Sequence, residues 1–134
     1  MIDNLLEITN LEDARWKNVS GFSGGMKQRF GIAQLLINNP KLIIVDEPTA
    51  GLHGSDVERL SHAITDLRDR GNTVLVVEHD ETMIRTADHV IEVGPAAGNA
   101  GGKIVFEGSP DEMLRDKESL TGQFLRGDRG DRKS

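Results

Sequence analysis

The sequence LIIVDEPT, residues 42–49, decides the fold that we predict for this chain. Its first four residues are apolar and three of them are β-branched, which is typical of a strand buried on both faces of a parallel sheet. Asp46 and Glu47 follow directly, and Pro48 ends the strand because it has no backbone N–H to donate. Ligands of open α/β sheets bind beyond the carboxyl ends of the strands, so we expect both carboxylates at a reactive edge.

The residues on either side of this segment predict an α/β fold with a mostly parallel sheet flanked by helices. An apolar helix pattern with Ser55 as its expected N-cap leads to a second β-branched strand at 73–77. A strand, helix and strand in this order are typical of a right-handed βαβ crossover. Further helices are expected from Ile2, Met26, Asp80 and Pro110, and further strands at 89–93 and 103–106.

Composition narrows the class of protein. The chain has 134 residues, a formal net charge of −6 and no cysteine. These values suit one small domain, exclude disulfides and thiolate metal sites, and argue against a surface that binds nucleic acid everywhere. No apolar run approaches a membrane span and residues 1–10 lack a signal-peptide pattern, so we expect a cytoplasmic protein. We predict one domain over residues 1–126, followed by a disordered tail at 127–134.

Three more motifs surround the strand segment. They are FSGGMKQR at 22–29, AGLH at 50–53 and VVEHD at 76–80. Together with LIIVDEPT as Walker B, their order and spacing resemble the signature motif, D-loop and switch histidine of the ABC-type ATPases. The resemblance implies part of a P-loop NTPase fold, with ATP and Mg²⁺ as cofactors. It also implies a second nucleotide-binding domain, from the same or another chain, as a partner.

The resemblance assigns the reacting groups to the two strand ends. Asp46 would hold Mg²⁺ largely through water, because Mg²⁺ loses its hydration shell reluctantly. Glu47 would orient and polarise the attacking water. His79 would hydrogen-bond an oxygen of the γ-phosphate. Taken alone, each residue has a plainer interpretation, since buried strands often end in an acidic residue or a histidine.

The glycine-rich segment at 23–25 precedes a helix, and free N–H groups at such a helix start favour phosphate. A plain turn that caps the helix is the alternative. The resemblance implies contact with the γ-phosphate of a nucleotide held by another nucleotide-binding domain. The expected nucleotide contacts are Ser23, Gly24, Gly25, Gln28, Asp46 and His53.

Two subfamilies share the resemblance. Residues 51–127 resemble the UvrA family, damage-sensing ATPases of bacterial nucleotide-excision repair, which implies DNA and a UvrB-type repair protein as partners. Residues 1–50 resemble the ATPase subunits of ABC-2-type exporters, which implies a membrane permease. The chain therefore has the pattern of a mosaic joined near residues 49–53. His53 favours the first subfamily, because most ABC transporters carry Asp at this position.

No stretch of the sequence matches the Gly-x-x-x-x-Gly-Lys-Ser/Thr pattern that cradles the β- and γ-phosphates. In the family this P-loop precedes the signature, so we expect it to be supplied from elsewhere. We therefore predict that the isolated chain hydrolyses no ATP. Three interpretations stay open: an ATPase module of the UvrA type, an exporter ATPase fragment, or a folded fragment without catalytic activity.

Overall fold

The computed structural model describes residues 2–94 and 101–127. Contacts divide the chain into two compact units, Met1–Met83 and Ile84–Ser134. The described helices are α1 Ile2–Ile8, α2 Gly24–Asn38, α3 Gly54–Asp69, α4 Glu81–Thr86, α5 Pro110–Arg115 and α6 Leu120–Leu125, with 3₁₀ turns at Glu12–Ala14 and Val19–Gly21. The described strands are β1 Leu42–Asp46, β2 Thr73–Val77, β3 Val90–Val93 and β4 Ile104–Gly108. The domain boundary at residue 126 stays a prediction, and residues 128–134 of the expected tail lie outside the described residues.

The first unit is built on a parallel pair of strands. β1 and β2 pair in register from Leu42 opposite Thr73 to Asp46 opposite Val77. Helix α3 connects them, so the expected strand–helix–strand unit is confirmed. Because the strands are parallel, both carboxyl ends lie at the same edge of the pair.

Only one face of this strand pair is covered by the described residues. Ile43 is 3% exposed in a core formed with helices α1 to α4, and Val74 packs against that core. Ile44, on the opposite face, is 65% exposed, and Leu75 beside it is 50% exposed. The expected burial on both faces is therefore wrong here. An unbroken apolar run permits two covering layers, but it cannot say whether the second layer is present.

Helix boundaries follow local capping. The side chain of Ser23 caps α2 by accepting a hydrogen bond from the N–H of Met26, and Asn39 ends the helix in a left-handed conformation. Helix α3 starts two residues earlier than expected, with His53 rather than Ser55 at the N-cap. The carbonyl of His53 already accepts the N–H groups of Asp56 and Val57, which makes Ser55 a first-turn residue.

The second unit pairs β3 with β4 in antiparallel order, with an irregularity between Glu92 and Val93. The expected loop at 94–102 lies largely outside the described residues. Ser109 caps α5 in a reciprocal capping box with Glu112, which confirms the expected helix start before Pro110. The buried core of the second unit consists of Phe106, Met113 and Leu125.

Candidate functional site

Asp46 is the last residue of β1 and lies opposite Val77, the last residue of β2. Its side chain is exposed. Alternation along a strand places Asp46 on the same face as Ile44, the face that the described helices leave uncovered. A carboxylate at this position is open to solvent and to a ligand.

Glu47 has an unusual backbone conformation. Its φ is 43°, in the left-handed region that a residue with a Cβ enters at a cost. Two hydrogen bonds hold it there: its N–H donates to the carbonyl of Val77 at 2.8 Å, and its carbonyl accepts the N–H of Ala50 at 3.1 Å. The first bond extends the pairing of the two strands by one residue. The Glu47 side chain is exposed beyond the sheet edge.

Gln28 connects the signature helix α2 to this edge. Its Nε2 donates to the carbonyl of Glu47 at 3.5 Å, the long end of the hydrogen-bond range. Its Oε1 is buried and has no hydrogen-bond partner among the described residues. The contact brings the predicted signature helix next to the predicted Walker B segment.

The two signature glycines differ in what surrounds them. A Cβ on Gly25 would lie 2.7 Å from Cδ2 of Leu52, so packing against the segment after β1 explains this glycine. A Cβ on Gly24 would meet nothing within 4 Å. Ser23 and Gly24 are exposed at the start of α2, and the Ser23 hydroxyl retains its own hydrogen for donation. The open part of this helix start is therefore at Ser23 and Gly24.

Glu78 is a residue of the site that sequence reasoning missed. Its carboxylate accepts the N–H of Thr49 at 2.8 Å, the Thr49 hydroxyl, and the N–H groups of His79 at 2.8 Å and Asp80 at 3.0 Å. Burial raises the pKa of Glu78, but these hydrogen bonds lower it more, so the pKa lies below the ordinary value of 4.5. The sequence held one signal for this contact: Thr49 and Glu78 both follow strands predicted to be parallel neighbours.

The two histidines of the motifs are exposed. His79 lies two residues beyond the end of β2, and its backbone N–H is held by Glu78. His53 occupies the N-cap of α3 without a capping hydrogen bond from its ring. The structure thus places His79 at the same sheet edge as Asp46 and Glu47, while His53 begins the helix that follows.

The side chains at the sheet edge determine whether Mg²⁺ could be held there. Within residues 2–94 and 101–127, no three or more His, Cys, Asp or Glu side chains form a cluster able to hold a metal by themselves. Mg²⁺ in phosphate sites is held by one or two carboxylates together with phosphate oxygens and water. The exposed carboxylate of Asp46 fits that arrangement as the single protein carboxylate.

Among residues 2–94 and 101–127, no helix has the length and apolar character needed to cross a membrane.

Comparison with known proteins gives one match to the first 50 residues and others to most of the chain. The family model of the ABC transporter matches residues 1–50. UvrABC system protein A of Vibrio parahaemolyticus is 50% identical over 113 residues, which are 83% of this chain and 12% of that protein. The same name belongs to a protein of Staphylococcus epidermidis, 46% identical over 78% of this chain and 11% of its own length.

Solved structures agree with the sequence comparisons. UvrA2 from Deinococcus radiodurans superimposes with a TM-score of 0.77 and 38% identity, covering 94% of this chain and 16% of that one. The protein cbiO1 from Clostridium perfringens, part of the ABC transporter complex cbiONQ, gives 0.65 and 29% identity, covering 96% and 49%. The fold is therefore that of the ABC ATPases, and the similarity to UvrA proteins extends beyond the segment 51–127.

Proposed function

Since this chain resembles the ABC-type ATPases and, over most of its length, UvrABC system protein A, we propose that it is an ATP-hydrolysing module of a UvrA-like ATPase in DNA excision repair. The chain spans 12% of the Vibrio relative, so DNA and a UvrB-type protein are proposed as partners of a larger assembly. A cytoplasmic location belongs to the same proposal.

One observation carries the proposal: the parallel pairing of β1 and β2 brings Asp46 and Glu47 to the same edge as His79. The three side chains that the motifs associate with phosphate hydrolysis come from segments separated along the chain. A sheet edge at the carboxyl ends of parallel strands is where α/β proteins bind ligands. Their common position is what a shared catalytic role requires.

Bound Mg²⁺-ATP supplies the γ-phosphoryl group and neutralises charge on its oxygens. Asp46 would hold the metal, largely through water. Glu47 would orient a water in line with the γ-phosphorus and accept its proton, while the bond to the β–γ bridging oxygen breaks. His79 would donate a hydrogen bond to a γ-phosphate oxygen.

The start of α2 serves a second nucleotide-binding domain in this proposal. Ser23 and Gly24 would donate hydrogen bonds to the γ-phosphate of a nucleotide held by that partner, with Gly25 and Gln28 shaping the helix start. His53 would lie near the same nucleotide, at the start of α3. The P-loop of the module's own nucleotide would come from residues outside the 134 of this sequence.

The test uses one polypeptide in which the P-loop-bearing half of a UvrA nucleotide-binding domain precedes residue 1, called here the complemented protein. We expect Mg²⁺-dependent ATP hydrolysis from the complemented protein and none from the 134-residue chain. Glu47→Gln should leave ATP binding intact and lower turnover by about 10²- to 10⁴-fold, the usual contribution of a general base. Glu58→Gln, an exposed carboxylate on α3, is the matched control. Undiminished turnover in Glu47→Gln would refute the role.

A second candidate is the ATPase subunit of an ABC-2-type exporter. The match of the ABC transporter family model to residues 1–50 favours it. DNA should change the ATPase rate of the complemented protein if the repair function holds. An ATPase rate that responds to a membrane permease and is indifferent to DNA would favour the exporter.

A further inference from the structure

Glu78 lies between the two segments that carry the proposed catalytic groups. It follows β2 directly, and Thr49 follows β1 by three residues. The two oxygens of its carboxylate divide their partners: Oε1 accepts both groups of Thr49, and Oε2 accepts the N–H groups of His79 and Asp80. Each oxygen therefore serves one segment.

We infer that Glu78 is a positioning residue, which joins the segment after β1 to the segment after β2 and so sets the positions of Glu47 and His79 relative to each other. The inference deepens the proposed function and rests on it for the roles of Glu47 and His79. Glu78 itself would act without contacting the nucleotide.

The donors around Glu78 explain why a carboxylate is required. All four partners are used as donors, and an ionised carboxylate is an acceptor only, with lone pairs for all of them. A glutamine would replace one oxygen by an NH₂ group, which cannot accept, so one segment would lose both hydrogen bonds. An aspartate is shorter by one methylene, so its carboxylate would lie farther from Thr49.

Further hydrogen bonds hold the partners of Glu78 on both sides. Thr49 is 8% exposed, so its bonds to Glu78 are shielded from competition with water. Its carbonyl also accepts the N–H of Leu52 at 2.9 Å. On the other side, Asp80 accepts the N–H of Met83 at 3.1 Å and thereby caps α4. Glu78 thus joins two segments that are each held by a further hydrogen bond: the first within the turn at 49–52 and the second at the start of α4.

The experiment is nuclear magnetic resonance on the 134-residue chain, which needs no nucleotide. In the unmodified chain we expect the amides of Thr49, His79 and Asp80 to be protected from hydrogen exchange and to share one titration below pH 4.5. Glu78→Gln should abolish the shared titration and speed exchange in one segment by about tenfold or more, the effect of losing two hydrogen bonds.

A measurement of amide orientation distinguishes a positioning role of Glu78 from a general effect on stability. Residual dipolar couplings report the orientation of each amide. In Glu78→Gln we expect the couplings of Glu47 and His79 to change relative to each other, while those of β1 and β2 are unchanged. Unchanged exchange and couplings in both segments would overturn the inference.

Thr49 variants keep the test decisive if Glu78→Gln fails to fold. Thr49→Ser retains the hydroxyl and should reproduce the couplings of the unmodified chain, whereas Thr49→Val removes one bond and should alter those of His79. Identical couplings in the two variants would overturn the inference. A complemented protein that hydrolyses no ATP would instead contradict the proposed function, while these measurements would still show whether Glu78 joins the two segments.

Discussion

Glu47 combines a proposed chemical role with a backbone conformation that its own Cβ disfavours. The hydrogen bonds to Val77 and Ala50 impose a φ of 43°, which glycine adopts without penalty. Residues held in such conformations cluster at functional sites. The backbone conformation of Glu47 is therefore a structural reason, beside the chemical one, to place this residue in a functional site.

We expect Glu47→Gly to be more stable than Glu47→Ala by about 1 kcal/mol, since only the glycine relieves the left-handed conformation. Both variants lack the carboxylate, so the comparison isolates the backbone. Urea denaturation of the two chains measures the difference in free energy of unfolding. An alanine variant as stable as the glycine variant would show that Glu47 is unstrained in solution.

Individual residues also show how far sequence reasoning reaches. The motifs singled out Asp46, Glu47 and His79 as candidate site residues. The strand pairing places all three at one edge of the sheet, as expected from parallel strands. Glu78 was missed because its importance comes from a partner 29 residues away, Thr49, and no local pattern encodes that contact. Gly25 illustrates a different difficulty: its neighbour Leu52 gives it a packing role, where the motif suggested a phosphate.

Strand β1 offers an internal comparison, because Ile43 and Ile44 are adjacent and face opposite ways. Ile43 is 3% exposed and Ile44 is 65% exposed. We expect Ile43→Ala to lower the free energy of unfolding by about 2–5 kcal/mol through the cavity it leaves. Ile44→Ala should cost less than about 1 kcal/mol, from strand propensity alone. Equal losses in thermal or urea unfolding would show that the second face is covered in solution.

Glu92 connects β3 to the start of α6. Its carboxylate accepts the hydroxyl of Ser119 at 2.6 Å and both the N–H and the hydroxyl of Thr121, at 2.9 and 2.8 Å. Burial raises the pKa of Glu92 and so does nearby Asp116, but the hydrogen bonds outweigh both and leave the pKa below 4.5. Ser119 is 0% exposed, so its hydroxyl has no alternative partner in solvent.

A carboxylate with a lowered folded-state pKa stabilises the fold above its unfolded pKa, and this stability is lost as pH falls through the folded value. We therefore expect the second unit to lose protection from hydrogen exchange progressively below pH 4.5. Glu92→Gln should cost about 1–3 kcal/mol near neutral pH and flatten that dependence. Glu118→Gln, exposed and close in sequence, is the control. An unchanged acid profile in Glu92→Gln would contradict this role.

Element types were predictable where the sequence pattern was strong, and boundaries were not. The strand at 73–77 and the helix start at Ser109 follow from β-branched runs and capping chemistry. The start of α3 was misplaced because His53 supplies the first helical carbonyl, which any residue can do. The exposed face of β1 was unpredictable, because the apolar run is the same whether one or two layers cover it.

At the scale of the whole chain, the sequence predicts the protein family more securely than the enzymatic activity. Four motifs in order identified the ABC ATPases, and both sequence and structural relatives agree. ATP hydrolysis stays a proposal, because no stretch of the sequence matches the P-loop pattern that cradles the phosphates of a nucleotide. The uncovered face of the first unit carries Asp46 at its carboxyl end, so this face and the proposed nucleotide site adjoin.

The decisive measurement is paramagnetic broadening of amide signals by Mn²⁺-ADP bound to the complemented protein. Mn²⁺ prefers the same oxygen ligands as Mg²⁺ and broadens signals from nearby amides. We expect amides at residues 46–49 and 78–80 to broaden together, since both strand ends would face the metal–nucleotide. Broadening at only one of these segments, or elsewhere on the chain, would contradict a shared site at the ends of β1 and β2.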